Sequence, residues 1–209
     1  MPAWRPSPEA PALPWSAVQA SLARMLRTRD PHRLSPWTPS SSRRAAVAVL
    51  LWGDAHGARK LVLVQRGHTA PHHAGELAFP GGMAEPLDRD LPATARRELA
   101  EELGITEHLW ELGCLPDGVA KARTRFTPVL FRWEDPEPRL VPGQELHRAL
   151  LLPLAGLLGA PWTTQVLEHQ GLSLAVPRLE LEEAPLWGAT AFVLKAWLDA
   201  LAAVLRPGS

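Results

Sequence analysis

Strand-like and helix-like patterns are interspersed along the chain with no internal repeat and no domain linker, which predicts a single α+β or α/β sandwich. Two segments anchor that class. Residues 45–52 (AAVAVLLW) are continuously apolar, the pattern of a central strand buried on both faces. Residues 91–103 (LPATARRELAEEL) instead space their apolar side chains as one face of a helix.

The remaining elements follow in order. Residues 1 to about 14 read as a proline-rich arm. Val18, Leu22, Met25 and Leu26 lie at helical spacing within Trp15–Leu26. Residues 29–42 are rich in Pro and Ser and read as loop. Residues 53–57 form a turn and Lys60–Gln65 a second strand, so this strand and the central run make a β-hairpin at the heart of a sheet. Beyond the helix at 91–103, strands are expected near Trp110–Leu115 and Thr127–Trp133. Pro136, Pro138 and Pro142 then break the chain before a strand at Leu146–Leu152 and a short helix at Pro153–Leu158. Short apolar stretches at Leu172–Val176 and Leu179–Leu181 suggest a late hairpin. Ala191, Val193, Leu194, Trp197, Leu198, Leu201 and Val204 form the broad stripe of a closing helix. Residues 1–38, the arm and first helix, are set apart from a main domain at 39–209.

The chain has 209 residues, 46% of them apolar, enough for a substantial core. Its 22 basic and 22 acidic residues cancel. That argues against general attraction to nucleic acid or an anionic membrane, while leaving room for a small phosphate site. Cys114 is the only cysteine, so no intrachain disulfide forms and a reducing compartment is expected. Its apolar run, Trp110–Leu115, marks a packed thiol and not a nucleophile. The N-terminus lacks the apolar core of a signal peptide, and no apolar window of about 18 residues suggests a membrane span. A cytoplasmic monomer or homodimer is the expectation.

The chemistry is concentrated on one helix. At about 100° per residue, Glu98, Glu101 and Glu102 share one narrow arc, with Ala95, Leu99 and Leu103 beside it as the docking stripe. Asp90 and Pro92 mark the start and Gly104 the stop. Like charges at Glu98 and Glu102 repel across one turn by about 0.2–0.5 kcal/mol on a plain surface. A hard divalent cation would reverse that sign. Arg97 lies four residues before Glu101 and can hold its carboxylate. Taken alone, such an arc is most often a solvated acidic face.

What precedes the helix changes that balance. Residues 75–82 read GELAFPGG, and the successive glycines Gly81 and Gly82 let backbone groups approach a metal or phosphate closely. Gly82, five residues, Asp88, eight residues and then Arg97-Glu98-Leu99-Ala100-Glu101-Glu102-Leu103-Gly104-Ile105 together resemble the Nudix box. Two departures stand out: Asp replaces the first Glu, and the spacer before Arg97 is eight residues instead of seven. The resemblance implies a Nudix-type α/β/α sandwich with a mixed β-sheet, here with an added N-terminal helix.

Residues 63–67 (LVQRG) and 73–82 are similar to the signature of the coenzyme A diphosphatase branch, with Arg66, Gly75 and Phe79–Gly82 in register. Val64, Gly67 and Pro71 depart from it, and Pro71 removes a cation that would meet a substrate phosphate. The resemblance implies metal-dependent hydrolysis of a diphosphate linkage in a nucleoside diphosphate-linked small molecule, first of all coenzyme A. Nucleoside triphosphates and ADP-ribose are the alternatives, and a non-catalytic nucleotide sensor is a further one. It also implies Mg²⁺ or Mn²⁺ held by Glu98, Glu102 and a backbone carbonyl at Gly82 or its neighbour. Glu101 would bind a second metal or act as general base, and Arg97 would orient the carboxylates. Glu145, before a predicted strand, is the alternative base. Arg66 reads as a phosphate ligand or a structural ion pair. His73 and its neighbour His72, Gly81, and the pair Arg123 and Arg125 are further candidates for substrate contact.

Overall fold

The computed structural model describes residues 3–5, 12–27, 44–53, 57–67, 75–120, 124–136, 138–169 and 172–206. Its centre is a mixed sheet. Strand β1 (Arg44–Gly53) runs parallel to β7 (Arg125–Trp133), from Arg44 opposite Arg125 to Trp52 opposite Trp133. Strand β2 (Arg59–Arg66) is antiparallel to β1, but only Leu51, Trp52 and Gly53 pair across the turn. The expected hairpin is therefore short. The other half of that edge of β1 is taken by β4 (Gly81–Met83), which sets Ala46 opposite Gly82 and Val47 opposite Gly81. Thus the central strand carries the double glycine directly.

Strand β3 (Leu77–Ala78) pairs with β2, and β8 (Leu146–Pro153) lies along its other edge. Strands β5 (Leu109–Cys114) and β6 (Gly118–Val119) both pair with β7. Alternation along these strands sends side chains to two separate cores. On one face, Ala46, Ala48, Leu50, Val62, Val64 and Phe131 pack with Ala95, Leu99 and Leu103 of helix α2 (Leu91–Leu103). Leu99 and Leu103 are fully buried, each contributing on the order of 2 kcal/mol. On the other face, Val49, Leu51, Leu61 and Leu63 pack with α1 (Trp15–Arg27) and α4 (Gly188–Leu205). These helices flank the sheet as an α/β/α sandwich.

Three expectations need correction. The late hairpin is not formed by 172–176 with 179–181. All but Leu181 lie in one strand, β10 (Leu172–Glu180), and its partner is β9 (Thr163–His169), a mostly polar stretch with no apolar run to mark it. Pro177 sits where β10 is paired on one side only, a setting that tolerates a missing N–H. The short strand β11 (Pro185–Leu186) joins β10 further on. The short helix α3 begins at Leu154, because Pro153 still belongs to β8. Finally, α4 is by length and composition apolar enough to cross a membrane, with a mean hydropathy of 1.5 over 18 residues. Ala191, Leu194, Trp197, Leu198 and Leu201 are instead buried in the core. The Trp197 indole N–H donates to Ser21 Oγ on α1 at 2.9 Å, and Ser21 donates to the Val18 carbonyl.

Candidate active site

Helix α2 is held at both ends in the way its sequence requires. Asp90 is the N-cap and accepts a hydrogen bond from the Ala93 N–H at 2.7 Å. Gly104 closes the helix with a φ of 69°, a left-handed conformation that suits glycine. With Leu99 and Leu103 buried against the sheet, Glu98 and Glu102 are turned toward β4. The Gly81 N–H donates to Glu102 Oε2 at 3.0 Å. Gly82 lies so close to Glu98 that a Cβ there would run into its carboxylate. The double glycine is the surface on which the two acids rest.

Burial has a cost for these charges. Desolvation, with Glu98 and Glu145 nearby, pushes the Glu102 carboxyl up to about 7, although the Gly81 N–H and Arg66 oppose it. Burial likewise raises Glu98 above the usual carboxylate range, against the pull of Arg97. Two desolvated acids four residues apart favour a proton or a cation between them.

Arg97 is the electrostatic hub. Its Nε and Nη2 donate to the two Asp88 carboxylate oxygens at 3.2 and 3.3 Å, and Nη2 also donates to the Met83 carbonyl at 2.9 Å. Its Nη1 lies 2.9 Å from both Glu98 Oε1 and Glu101 Oε2. That fork lowers Asp88 to about 2 and holds Arg97 firmly protonated. The expected contact from Arg97 to Glu101 is present. The stronger tether to Asp88 and Met83 escaped the sequence reading, because it depends on how the intervening loop returns. The acid in the box pattern was the available signal.

The opposite wall comes from the chain before β8. The Val141 and Gly143 N–H groups donate to the carbonyls of Leu103 and Glu102 at 3.1 and 2.9 Å, lashing this segment to the end of α2. It carries Gln144 and Glu145, and the Arg66 guanidinium lies 3.7 Å from Glu145. Between the walls is a cavity of about 680 Å³, lined by Met83, Glu85, Arg97, Glu98, Glu101, Glu102, Gln144 and Glu145 among others. Five carboxylates line it together with the Arg97 guanidinium, and the Arg66 guanidinium lies at its edge by Glu145, close enough to pull the Glu102 carboxyl down. Gln144 and Gly143 were not anticipated, although Pro142-Gly143 marks a turn.

A second cavity, of about 640 Å³, lies by the start of α2 and is lined largely by apolar residues. Its Asp117 already accepts from Thr127 at 2.6 Å and faces Arg44 and Arg125 at 3.4 and 3.8 Å. The chemistry favours the first cavity, where two carboxylates are desolvated beside further acids. Arg125 belongs with Asp117 and does not line the carboxylate cavity, because the register of β7 sets it opposite Arg44. Of the other expected residues, Arg66, Gly81, Gly82, Arg97, Glu98, Glu101, Glu102 and Glu145 come together. His72, His73, Pro71 and Arg123 lie outside the described residues. Cys114 is half-buried and burial raises its thiol, in keeping with packing rather than reactivity.

The donor set fits a hard divalent cation. Among the described residues no three His, Cys, Asp or Glu side chains form a complete cage. Two carboxylates beside an open cavity are nonetheless what Mg²⁺ commonly uses, with substrate phosphate oxygens and water completing the octahedron.

The chain is similar in sequence and fold to known proteins. Mitochondrial Nudix hydrolase 15 of Arabidopsis thaliana is 34% identical over 113 residues, covering 54% of this chain and 37% of that protein. The human mitochondrial coenzyme A diphosphatase NUDT8 is 34% identical over 119 residues, covering 54% and 50%. The chain thus spans half or less of the length of these two relatives. In fold it is similar to a MutT protein from Methanosarcina mazei Go1, with a TM-score of 0.51 at 17% identity, covering 81% of this chain and 98% of that one. The NUDIX domain family model matches residues 42–170, from just before β1 to the end of β9, and the chain belongs to that family.

Proposed function

We propose that this chain is a metal-dependent hydrolase of the phosphoanhydride bond in nucleoside diphosphate-linked substrates, with coenzyme A or a derivative as its preferred substrate. One observation carries the reaction type. The cavity is lined by five carboxylates and one guanidinium, that of Arg97, with Arg66 near its edge, so an anionic diphosphate is repelled unless cations accompany it. Glu98 and Glu102 would hold a Mg²⁺ or Mn²⁺ ion, with a backbone carbonyl at Gly82 or its neighbour. Once bound, such an ion neutralises phosphoryl oxygens and acidifies a water molecule.

The protein's own groups do the rest. Arg97 holds Glu98 and Glu101 in place, and Arg66 offers its guanidinium to a phosphate oxygen. Water adds to one phosphorus, the bridging P–O bond breaks, and the water proton passes to a carboxylate. Glu101 and Glu145 are the two bases in position, on opposite walls of the cavity. All three box glutamates are present, which speaks against a non-catalytic nucleotide sensor.

Coenzyme A is favoured by the register of Arg66, Gly75 and Phe79–Gly82 and by the similarity to a relative named as a coenzyme A diphosphatase. Pro71, which replaces a cation of that signature, favours a second reading in which ADP-ribose or nucleoside triphosphates are cut as well. Comparing coenzyme A with dephospho-coenzyme A separates the two. Losing a charged hydrogen bond to the 3′-phosphate lowers kcat/KM roughly ten- to a hundredfold. Equal efficiency would replace coenzyme A specificity by a broader range of ADP-containing substrates.

A further inference from the structure

Arg66 and Glu145 are fixed to each other through the backbone but only loosely through their side chains. Arg66 ends β2 opposite Leu146, with a register shift between Gln65 and Arg66, and the Gly67 N–H donates to the Glu145 carbonyl at 2.8 Å. The side chains stand 3.7 Å apart at Arg66 Nη2 and Glu145 Oε2, too far for a hydrogen bond. The Glu145 side chain is 85% exposed, whereas that of Arg66 is 31% exposed. Arg66 Nε is buried and has no hydrogen-bond partner among the described residues. Arg97, by contrast, is committed to Asp88, Met83, Glu98 and Glu101. Arg66 is therefore a guanidinium at the edge of this cavity, close enough to act on Glu102 and with donors to spare, and the exposed carboxylate of the lining residue Glu145 hangs over one of them.

We propose that Glu145 is an internal competitor for Arg66. Its carboxylate shields the guanidinium until a phosphate displaces it, and so sets the affinity of the site for anions. This rests on reading the cavity as the phosphoanhydride site. The contact suits exchange, because an exposed, long ion pair is weak, while a phosphate oxygen that reaches Nη2 takes a full charge-assisted hydrogen bond from it. No bond is made or broken in the exchange. The Glu145 carboxylate simply turns away and stays within the cavity wall.

The test is a double-mutant cycle in the intact chain, read by calorimetric binding of α,β-methylene-ADP in millimolar Mg²⁺. This probe cannot be cut at its phosphorus–carbon–phosphorus link, so binding is read apart from hydrolysis. Glu145→Gln is expected to tighten binding roughly two- to fivefold, the span of a surface ion pair. Glu85→Gln removes the same charge from the same cavity but faces Arg97, and it should tighten binding less. Arg66→Gln should weaken binding about tenfold or more, and adding Glu145→Gln to it should give no gain. A gain that persists in the Arg66→Gln background, or one no larger than that of Glu85→Gln, overturns the proposal. Failure of wild type and every variant to bind the probe overturns it together with the phosphate site. Binding that follows the cycle in a chain that hydrolyses no diphosphate would leave the competitor standing and remove only the hydrolase reading.

Discussion

Burial raises the carboxyls of both Glu98 and Glu102, so each is more easily kept neutral or neutralised by a cation than left bare. Glu98→Gln and Glu102→Gln are each expected to lower turnover at least about a hundredfold while leaving the metal-free melting temperature unchanged or raised. Near wild-type turnover at saturating metal would remove that residue from the ligand set. The Glu102 carboxyl also fixes a pH dependence. Its folded value of about 7 lies above the ordinary 4.5, so the folded state holds the extra proton between these values. The metal-free fold therefore loses stability as pH rises from about 4.5 through 7. A divalent ion competes with that proton, so the rise in melting temperature on adding Mg²⁺ or Mn²⁺ should be larger at pH 8 than at pH 6. Thermal scans with and without metal check this, and an equal shift at both pH values would count against Glu102 as a ligand. The carboxylate arc was legible from spacing alone. The placement of Arg125 beside Asp117 was not, because strand register decides it.

At the scale of elements, helix α2 and its seat on β4 carry the site. Replacing Asp90 with Ala removes the acceptor for the Ala93 N–H and should cost about 1 kcal/mol, a fall of roughly 2–4 °C in melting temperature. No change in a thermal scan would mean the cap is dispensable. Gly82→Ala acts differently. Its methyl group would displace the Glu98 carboxylate, so activity should fall at least about tenfold with a much smaller loss of stability. Retained activity would show that Glu98 need not lie against this strand. Elements with strong signals were readable: α2 by its caps, β1 by its apolar run, α4 by its stripe. Strand β9 was not, since Thr163-Thr164-Gln165 has no alternation, and β3, β4, β6 and β11 are too short for any periodicity. Nor does a sequence pattern reveal that β1 runs parallel to β7, a pairing across more than 70 intervening residues.

For the whole molecule, the sheet separates chemistry from support. One face carries α2 and the carboxylates, and the other is closed by α1 and α4. Trp197 joins those two helices through Ser21 and is fully buried. Trp197→Ala should destabilise the fold by about 3–5 kcal/mol, seen as a large drop in the denaturation midpoint, whereas residual folded protein should keep its metal response. The sandwich class followed from the order of patterns. The division of labour between its faces emerged only once the register of β1, β4 and β7 was known. We propose that the buried carboxylates on one face serve metal-dependent cleavage of a diphosphate. Mass analysis of the products from coenzyme A in ¹⁸O-labelled water tests this most directly. The expected result is 4′-phosphopantetheine and adenosine 3′,5′-bisphosphate, one of them carrying the label, formed with Mg²⁺ or Mn²⁺ and lost with a chelator or in Glu98→Gln. Absence of cleavage of coenzyme A, ADP-ribose and nucleoside triphosphates with either metal, or cleavage that survives the chelator, would contradict it.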